Sequence, residues 1–166
     1  YKNKREHDIQ TILNYQIKYP LKKTSYGYKT ILSPILSMRY SPNKTKNIMN
    51  DDRLIDSNNI FSLNRIGSLD SVEGGQSMTF GTEFKAFSDN DIEMLSLSLA
   101  SVFRDKKNKD LPKVSKLGEK SSDIVGHFVF KPNKIFDLDY NFSLDNNLYT
   151  LNYNSIISKI SINNFI

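Results

Sequence analysis

Residues 64–75, NRIGSLDSVEGG, gather the side chains whose types and spacing could do chemistry. The segment holds one cation, Arg65, and two anions, Asp70 and Glu73, among three glycines that suit tight turns. No nucleophile stands beside a base, so an ion pair is the chemistry that these residues indicate. We expect Arg65 to pair with Asp70 or Glu73 and to hold the loop folded. The alternative is a solvated loop whose charges meet by chance.

A run of basic side chains is the second candidate site. It comprises Arg104, Lys106, Lys107, Lys109, Lys113, Lys116 and Lys120, against Asp105, Asp110 and Glu119. Outside a membrane these cations could meet phosphate groups through charge-assisted hydrogen bonds. The alternative, which we favour, is a solvated loop, because lysine is spread along the whole chain. The formal charge of +5 is equally scattered, so no nucleic-acid partner is expected.

The third candidate is a polar stripe in the alternating segment 136–145. Its members are Asp137, Asp139, Asn141, Ser143 and Asp145. Nothing in the segment indicates a raised carboxyl pKa, so a catalytic carboxylate pair is not expected. His127 could belong to a serine–histidine hydrolase, but serines are too common here to mark a partner. With two histidines and no cysteine, the sequence predicts no catalytic residue, no metal site and no cofactor.

Strands must position these residues, because apolar and polar side chains alternate with a period of two. The alternating segments are 11–19, 30–40, 77–86, 92–103, 127–131, 136–145 and 149–154. Ile35 breaks the alternation of the second segment, and beyond Ser155 the parity slips as a bulge would make it. We therefore predict seven strands, with an eighth beginning at Phe165 and Ile166.

Strand length and loop order separate a membrane barrel from a soluble sandwich, which would bury its apolar faces in a core. Several segments reach about ten residues and carry aromatic side chains near their ends, as outer-membrane strands do. Such barrels combine short periplasmic turns with long extracellular loops. The shorter set of connections is 20–29, 87–91, 132–135 and 163–164, and the opposite side has 41–76, 104–123 and the short 146–148. We predict an all-β antiparallel meander, an arc of a larger transmembrane β-barrel with its apolar faces toward lipid.

Four segments resemble one protein family. They are SPILSMRYSPN (33–43), NIFSLNRIGSLDSVEGGQSMTFGTEF (59–84), RDKKNKDLPKVSKLGEKSSDIVG (104–126) and LNYNSIISKISINNF (151–165). In this order they resemble the C-terminal barrel of the LptD, or organic solvent tolerance, family of lipopolysaccharide-assembly proteins, in its alphaproteobacterial branch. The family signature falls on Asn64, Arg65, Gly67, Asp70, Glu73 and Gly74. The resemblance implies that residues 1–166 are part of that barrel domain, an internal fragment of a longer protein.

The resemblance also implies a function. The family inserts lipopolysaccharide into the outer leaflet of the Gram-negative outer membrane, and its barrel acts as a passive conduit. Implied partners are lipopolysaccharide, outer-membrane lipid, a plug lipoprotein similar to LptE, and periplasmic bridge proteins. The expected location is the cell outer membrane, and no enzymatic activity is expected. The alternative is a soluble all-β binding module, or one similar to an adhesin.

On this interpretation, Asp137, Asp139, Asn141 and Ser143 face a water-filled lumen, and the loop that contains Arg65 folds over the barrel mouth. An exposed ion pair in that loop would contribute only about 0–1 kcal/mol to stability. Reversing one charge would then loosen the loop without unfolding the strands, and swapping both charges would restore it.

Overall fold

The structure, a computed structural model, describes residues 9–161. In this part of the chain eight strands form one antiparallel sheet that does not close on itself. The strands are β1 (Leu13–Lys18), β2 (Leu21–Ser25), β3 (Tyr28–Ser41), β4 (Gly75–Phe87), β5 (Glu93–Arg104), β6 (Ile124–Phe130), β7 (Phe136–Leu144) and β8 (Leu151–Ile160). None of the described residues belongs to a helix with the length and apolar character needed to cross a membrane. The open meander confirms the predicted fold class.

Strands β1 and β2 are the two halves of one interrupted strand. Both pair with β3 in a single continuous register. Pro20 lies in the interruption and has no N–H to donate. The N–H of Tyr19 nevertheless bonds to the carbonyl of Pro34 at 3.1 Å, which keeps the two halves in line. Counted as one strand, they bring the described sheet to the seven strands that the sequence predicts.

The predicted bounds of the first connection, 20–29, are wrong. The strand continues to Ser25, and only Tyr26 and Gly27 turn the chain into β3. Their φ angles are 47° and 78°, which fit a two-residue turn of the I′ type. A tyrosine seldom adopts positive φ, so this turn carries no ordinary sequence signal.

Successive connections alternate between the two ends of the sheet, and the two long ones are at the same end. One end has the turns 26–27, 88–92 and 131–135, and the other has 42–74, 105–123 and 145–150. The two long loops therefore leave the same end, as predicted for the extracellular side of a barrel. The predicted connection at 163–164 and the strand at 165–166 lie outside the described residues.

The apolar face of the sheet is exposed and its polar face is buried, which is the reverse of the arrangement in a soluble protein. On the face that we call outer, Met38 and Phe80 are 44% and 48% exposed. On the other, the inner face, Arg39 and Thr79 are 6% and 2% exposed. The apolar set thus faces away from the loops and the polar set is buried beneath them, which is the arrangement that a lipid-facing sheet requires.

The loops 42–74 and 105–123 cover the inner face and pack against each other. The cluster that they bury with the sheet consists of Ile55, Ile60, Ile66, Leu111 and Leu117 from the loops, with Ala100, Val102 and Val125 from the strands. Hydrogen bonds join the loops directly, including Ile55 N–H to Ser115 Oγ at 2.8 Å. The two loops therefore form one packed unit inside the arc.

Two exceptions in the strand pattern are explained by this unit. Ile35, which breaks the alternation of β3, is 5% exposed and lies beside Ile60 and Phe61 of the first loop. Gly81 of β4 lies under the aromatic ring of Phe61. A Cβ at position 81 would stand 2.6 Å from Phe61 Cζ. The first loop packs on the inner face at these two positions, which explains why one of them is apolar and the other has no side chain.

The slip in parity near the last strand lies earlier than predicted. The pairing of β7 with β8 shifts between Ser143 and Leu144, which makes Asn152 the extra residue of a bulge. The prediction put the slip beyond Ser155. From Tyr153 onward the pairing is regular, and the strand extends to Ile160.

Candidate functional site

The centre of the inner face is an ion pair between Arg65 and Glu73. Arg65 Nε donates to Glu73 Oε2 at 2.6 Å, and Arg65 Nη2 donates to Glu73 Oε1 at 2.5 Å. The two side chains are 2% and 1% exposed. The pair joins the two ends of the segment 65–73, so it fixes the last part of the first loop in one conformation. The sequence left Asp70 and Glu73 as possible partners of Arg65, and the partner in the structure is Glu73.

The guanidinium of Arg65 also reaches the sheet. Its Nη1 donates to Thr79 Oγ1 at 2.9 Å, and its Nη2 donates to Ser77 Oγ at 2.8 Å. Both hydroxyls belong to inner-face positions of β4. The two hydrogen bonds to Glu73 and the two to the hydroxyls satisfy the buried guanidinium. A cation can be buried only when it is paired in this way.

Two further arginines complete the cluster from neighbouring strands. Arg39 of β3 and Arg104 of β5 are each paired in register with Ser77 of β4, so they flank it on the same face. Arg104 Nη1 binds Glu73 Oε1, and Arg104 Nη2 donates to Gly74 O at 2.6 Å. Arg39 Nη1 binds the carbonyl of Leu63. One carboxylate is thus surrounded by three guanidinium groups.

The protonation state of Glu73 follows from this cluster. Burial acts to raise the pKa of the Glu73 carboxyl, but attraction to Arg65, the hydrogen bond from Arg65, and the charges of Arg104 and Arg39 outweigh it. The net effect lowers the pKa below its ordinary value. Glu73 is therefore ionised at neutral pH and can hold the loop by charge.

The remaining signature residues shape the loop. Asn64 Nδ2 donates to Ser68 O at 2.7 Å, and the exposed Asp70 accepts from Ser68 Oγ at 3.0 Å. Gly67 has a φ of 60°, a left-handed conformation that glycine adopts at little cost. Asp70 therefore stabilises a local turn and takes no part in the buried ion pair.

Gly74 provides a close approach between backbones. Its N–H donates to Thr45 Oγ1 at 2.9 Å, and a Cβ at this position would stand 2.1 Å from Asn43 O. The start of the first loop therefore lies directly against its end.

A family model described as LptD, LPS transport system D, matches residues 7–163. The chain belongs to the LptD family. Membership associates it with lipopolysaccharide transport and with the outer membrane, and the open all-β sheet agrees with a β-barrel. No curated protein matches the chain.

The polar stripe of this LptD-family sheet lies on strand β7. Asp139 Oδ2 is 3.0 Å from His127 Nε2, and Asn141 Nδ2 donates to Asp139 Oδ1 at 2.8 Å. Asp137 pairs with Lys131 at 3.0 Å. The side chains satisfy one another within β7 and with its neighbour, and among residues 9–161 none of them is hydrogen-bonded to a serine or threonine hydroxyl that could act as a nucleophile. Among the described residues, no group of three or more His, Cys, Asp or Glu side chains could hold a metal ion.

The end of the stripe joins the second loop. Ser143 is 3% exposed, and its Oγ donates to Asp123 Oδ2 at 3.3 Å. Asp145, beyond the strand, lies 2.7 Å from Lys116 Nζ. The hydrogen bond and the charge of Lys116 lower the pKa of the Asp145 carboxyl. These contacts anchor the loop 105–123 to the edge of β7.

The residues of the basic run fall into three groups. Arg104 is buried on Glu73, so neither expectation for the run, phosphate binding or a solvated loop, holds for this residue. Lys107 is paired with Glu119 at 2.5 Å, and Lys116 with Asp145. The remaining lysines, exposed and without a carboxylate within 4.0 Å among residues 9–161, are Lys106, Lys109, Lys113 and Lys120.

Sequence reasoning missed Arg39 as a member of the cluster and gave Arg104 the wrong role. A signal was present, because both arginines occupy inner-face positions of strands whose outer face is apolar. A long cation on a face that will be covered needs an anion near it. What sequence could not supply is the register that places both residues beside Glu73.

Proposed function

We propose that this chain is an arc of the outer-membrane barrel through which lipopolysaccharide is inserted into the outer leaflet. The supporting observation is the reversed exposure of the sheet: its polar face is covered by its own loops and its apolar face is open. A soluble binding module would bury the apolar face instead. Residues 1–166 would then be a partial barrel domain, with Asp137, Asp139, Asn141 and Ser143 toward the lumen.

The barrel acts as a passive conduit in this proposal. Energy comes from partners on the periplasmic side, bridge proteins deliver lipopolysaccharide, and a plug lipoprotein similar to LptE occupies the rest of the lumen. Hydroxyl, amide and carboxylate groups on β7 offer hydrogen bonds to passing sugars, and they catalyse nothing. The packed loops narrow the extracellular end, so that small solutes do not leak through the opening.

A photo-crosslinking experiment tests the conduit. A photoreactive residue is placed at Asn141 on the inner face, or at its neighbour Tyr140 on the outer face, in the full-length protein assembled with its partners. We expect crosslinks to lipopolysaccharide at Asn141 only while the energy-supplying partners are active. At Tyr140 any crosslink to surrounding lipid should not depend on energy. Energy-independent labelling at both positions would count against a lumenal path along β7.

A further inference from the structure

Arg39 carries two buried donors that no protein group accepts. Its side chain is 5% exposed, and its Nε and Nη2 have no acceptor within residues 9–161. The nearest carboxylate oxygen, Glu73 Oε2, is 3.9 Å from Nε, which is beyond hydrogen-bond distance. Buried donors are almost always hydrogen-bonded, so the Nε and Nη2 of Arg39 need an acceptor.

The two donors have the geometry of an oxyanion site. Nε and Nη2 form the same fork with which Arg65 holds both oxygens of Glu73. Such a fork matches two oxygens of a carboxylate, a phosphate or a sulfate. Arg39 therefore presents a second fork, equivalent to the occupied one, within the same cluster.

The charge of the cluster favours a second anion. Arg39, Arg65 and Arg104 face the single carboxylate of Glu73, and Arg104 Nε is a third donor without an acceptor in this part of the chain. In the first loop, the carboxylate nearest to Glu73 in sequence, Asp70, is engaged elsewhere, because it binds Ser68. A dianion would balance the two uncompensated positive charges.

We propose that the fork of Arg39 binds a small free oxyanion, of the phosphate or sulfate class, beside Glu73. The bound ion bridges β3 to the cluster and so helps to fix the loop 42–74 on the inner face. A free ion suits the site better than a lipid headgroup, because the guanidinium is buried beneath the loop. This site does not depend on lipopolysaccharide passing through the barrel.

Equilibrium dialysis of the full-length protein, assembled with its plug partner in detergent, tests the proposal with radiolabelled sulfate at constant ionic strength. We expect one saturable sulfate for each barrel. Arg39→Gln, and Arg39→Lys, which keeps the charge but loses the fork, should bind at least tenfold more weakly. Lys109→Gln is the matched control, since Lys109 is exposed on the second loop, and it should bind as the wild type does.

A second measurement leaves Arg39 unchanged, in case its variants do not fold. At constant ionic strength, sulfate should slow the cleavage of wild-type protein between residues 42 and 74 by an added protease. The proposal is overturned if the wild type shows no saturable binding, if a folded Arg39→Gln variant binds equally well, or if sulfate leaves cleavage unchanged. Displacement of sulfate by purified lipid A would also overturn it, because the ligand would then be a headgroup phosphate.

Discussion

Burial changes what the Arg65–Glu73 pair contributes to stability. As an exposed pair it would contribute about 0–1 kcal/mol, but both side chains are nearly inaccessible to solvent. Removing one partner of a buried pair leaves an uncompensated charge and costs about 3–5 kcal/mol. The expectation of an exposed pair is therefore wrong, and losing one partner should be costly.

We predict that Glu73→Gln destabilises the full-length barrel by about 3–5 kcal/mol and exposes the loop 42–74 to protease. Asp70→Asn is the matched control, because the Asp70 side chain is exposed and hydrogen-bonds only to Ser68 among the described residues. This substitution should change stability by no more than about 0.5 kcal/mol. Denaturant unfolding in lipid vesicles gives the first quantity, and limited proteolysis gives the second. Equal effects of the two substitutions would show that the buried pair has no special role.

Exchanging the two charges should not restore the loop, contrary to the expectation from sequence. An arginine at position 73 would lie beside Arg104 and Arg39, which both face Glu73 now. The double variant Arg65→Glu/Glu73→Arg should therefore remain protease-sensitive between residues 42 and 74, and cells that carry it should admit bulky antibiotics. Recovery of both properties would mean that the two strand arginines are not near Glu73 in the membrane.

Acid should release the loop through the same carboxylate. The pKa of Glu73 is lower in the folded protein than the ordinary value of about 4.3, so folding is favoured by its ionised form. That contribution is complete above about pH 4.3 and is lost as the pH falls through the folded pKa. A protease active in acid should cut the wild-type loop faster as the pH falls below 4, while Glu73→Gln shows no such step. A midpoint above about pH 5 would indicate a raised pKa instead.

At the scale of the strands, alternation assigns one face to lipid and one to the lumen. Tyr140 and Asn141 are neighbours on opposite faces of β7. We predict that Tyr140→Arg costs about 2–4 kcal/mol if the site lies near the bilayer midplane, and that Asn141→Arg costs much less, because its position is already polar. Unfolding of each variant in vesicles measures the difference. Similar costs on both faces would contradict the assignment.

The contact of β4 with the first loop depends on the missing side chain at Gly81. A Cβ there would stand 2.6 Å from Phe61 Cζ and 2.9 Å from Ala100 Cβ. Gly81→Ala should cost about 1–3 kcal/mol by overpacking and should speed proteolysis of the loop 42–74. Adding Phe61→Leu should recover part of the loss, since a smaller side chain gives the methyl group room. If Gly81→Ala leaves proteolysis unchanged, the ring does not pack on the strand.

At the scale of the whole molecule, the two long loops should behave as one unit. Leu117 of the second loop is 1% exposed in the cluster that contains Ile60 of the first. Leu117→Ala should cost about 2–5 kcal/mol and should expose the first loop to protease, although the substitution lies in the second. Val114→Ala is the control, because Val114 is 41% exposed on the same loop. Cleavage confined to the second loop would show that the two fold independently.

The sequence alone determined the all-β meander, the face of every strand except β8 and the family, because alternation and a local signature are properties of neighbouring residues. In β8 the bulge at Asn152 turns Tyr153 to the inner face, opposite to the face that alternation predicts. It also reduced the partner of Arg65 to two candidates eight or fewer residues away. The turn at Tyr26 was missed because its conformation is unusual for tyrosine.

Only the tertiary structure placed Arg39 and Arg104 around Glu73 and buried the pair. Those contacts join residues 34 and 31 positions apart in the chain, and they exist because the register of β3, β4 and β5 brings the two arginines to either side of Ser77. Whether a charged loop is solvated or buried depends on what it packs against, and here the charged side chains lie against strands β4 and β5 of the sheet. Such burial comes from packing between distant segments, and no local pattern of residues encodes it.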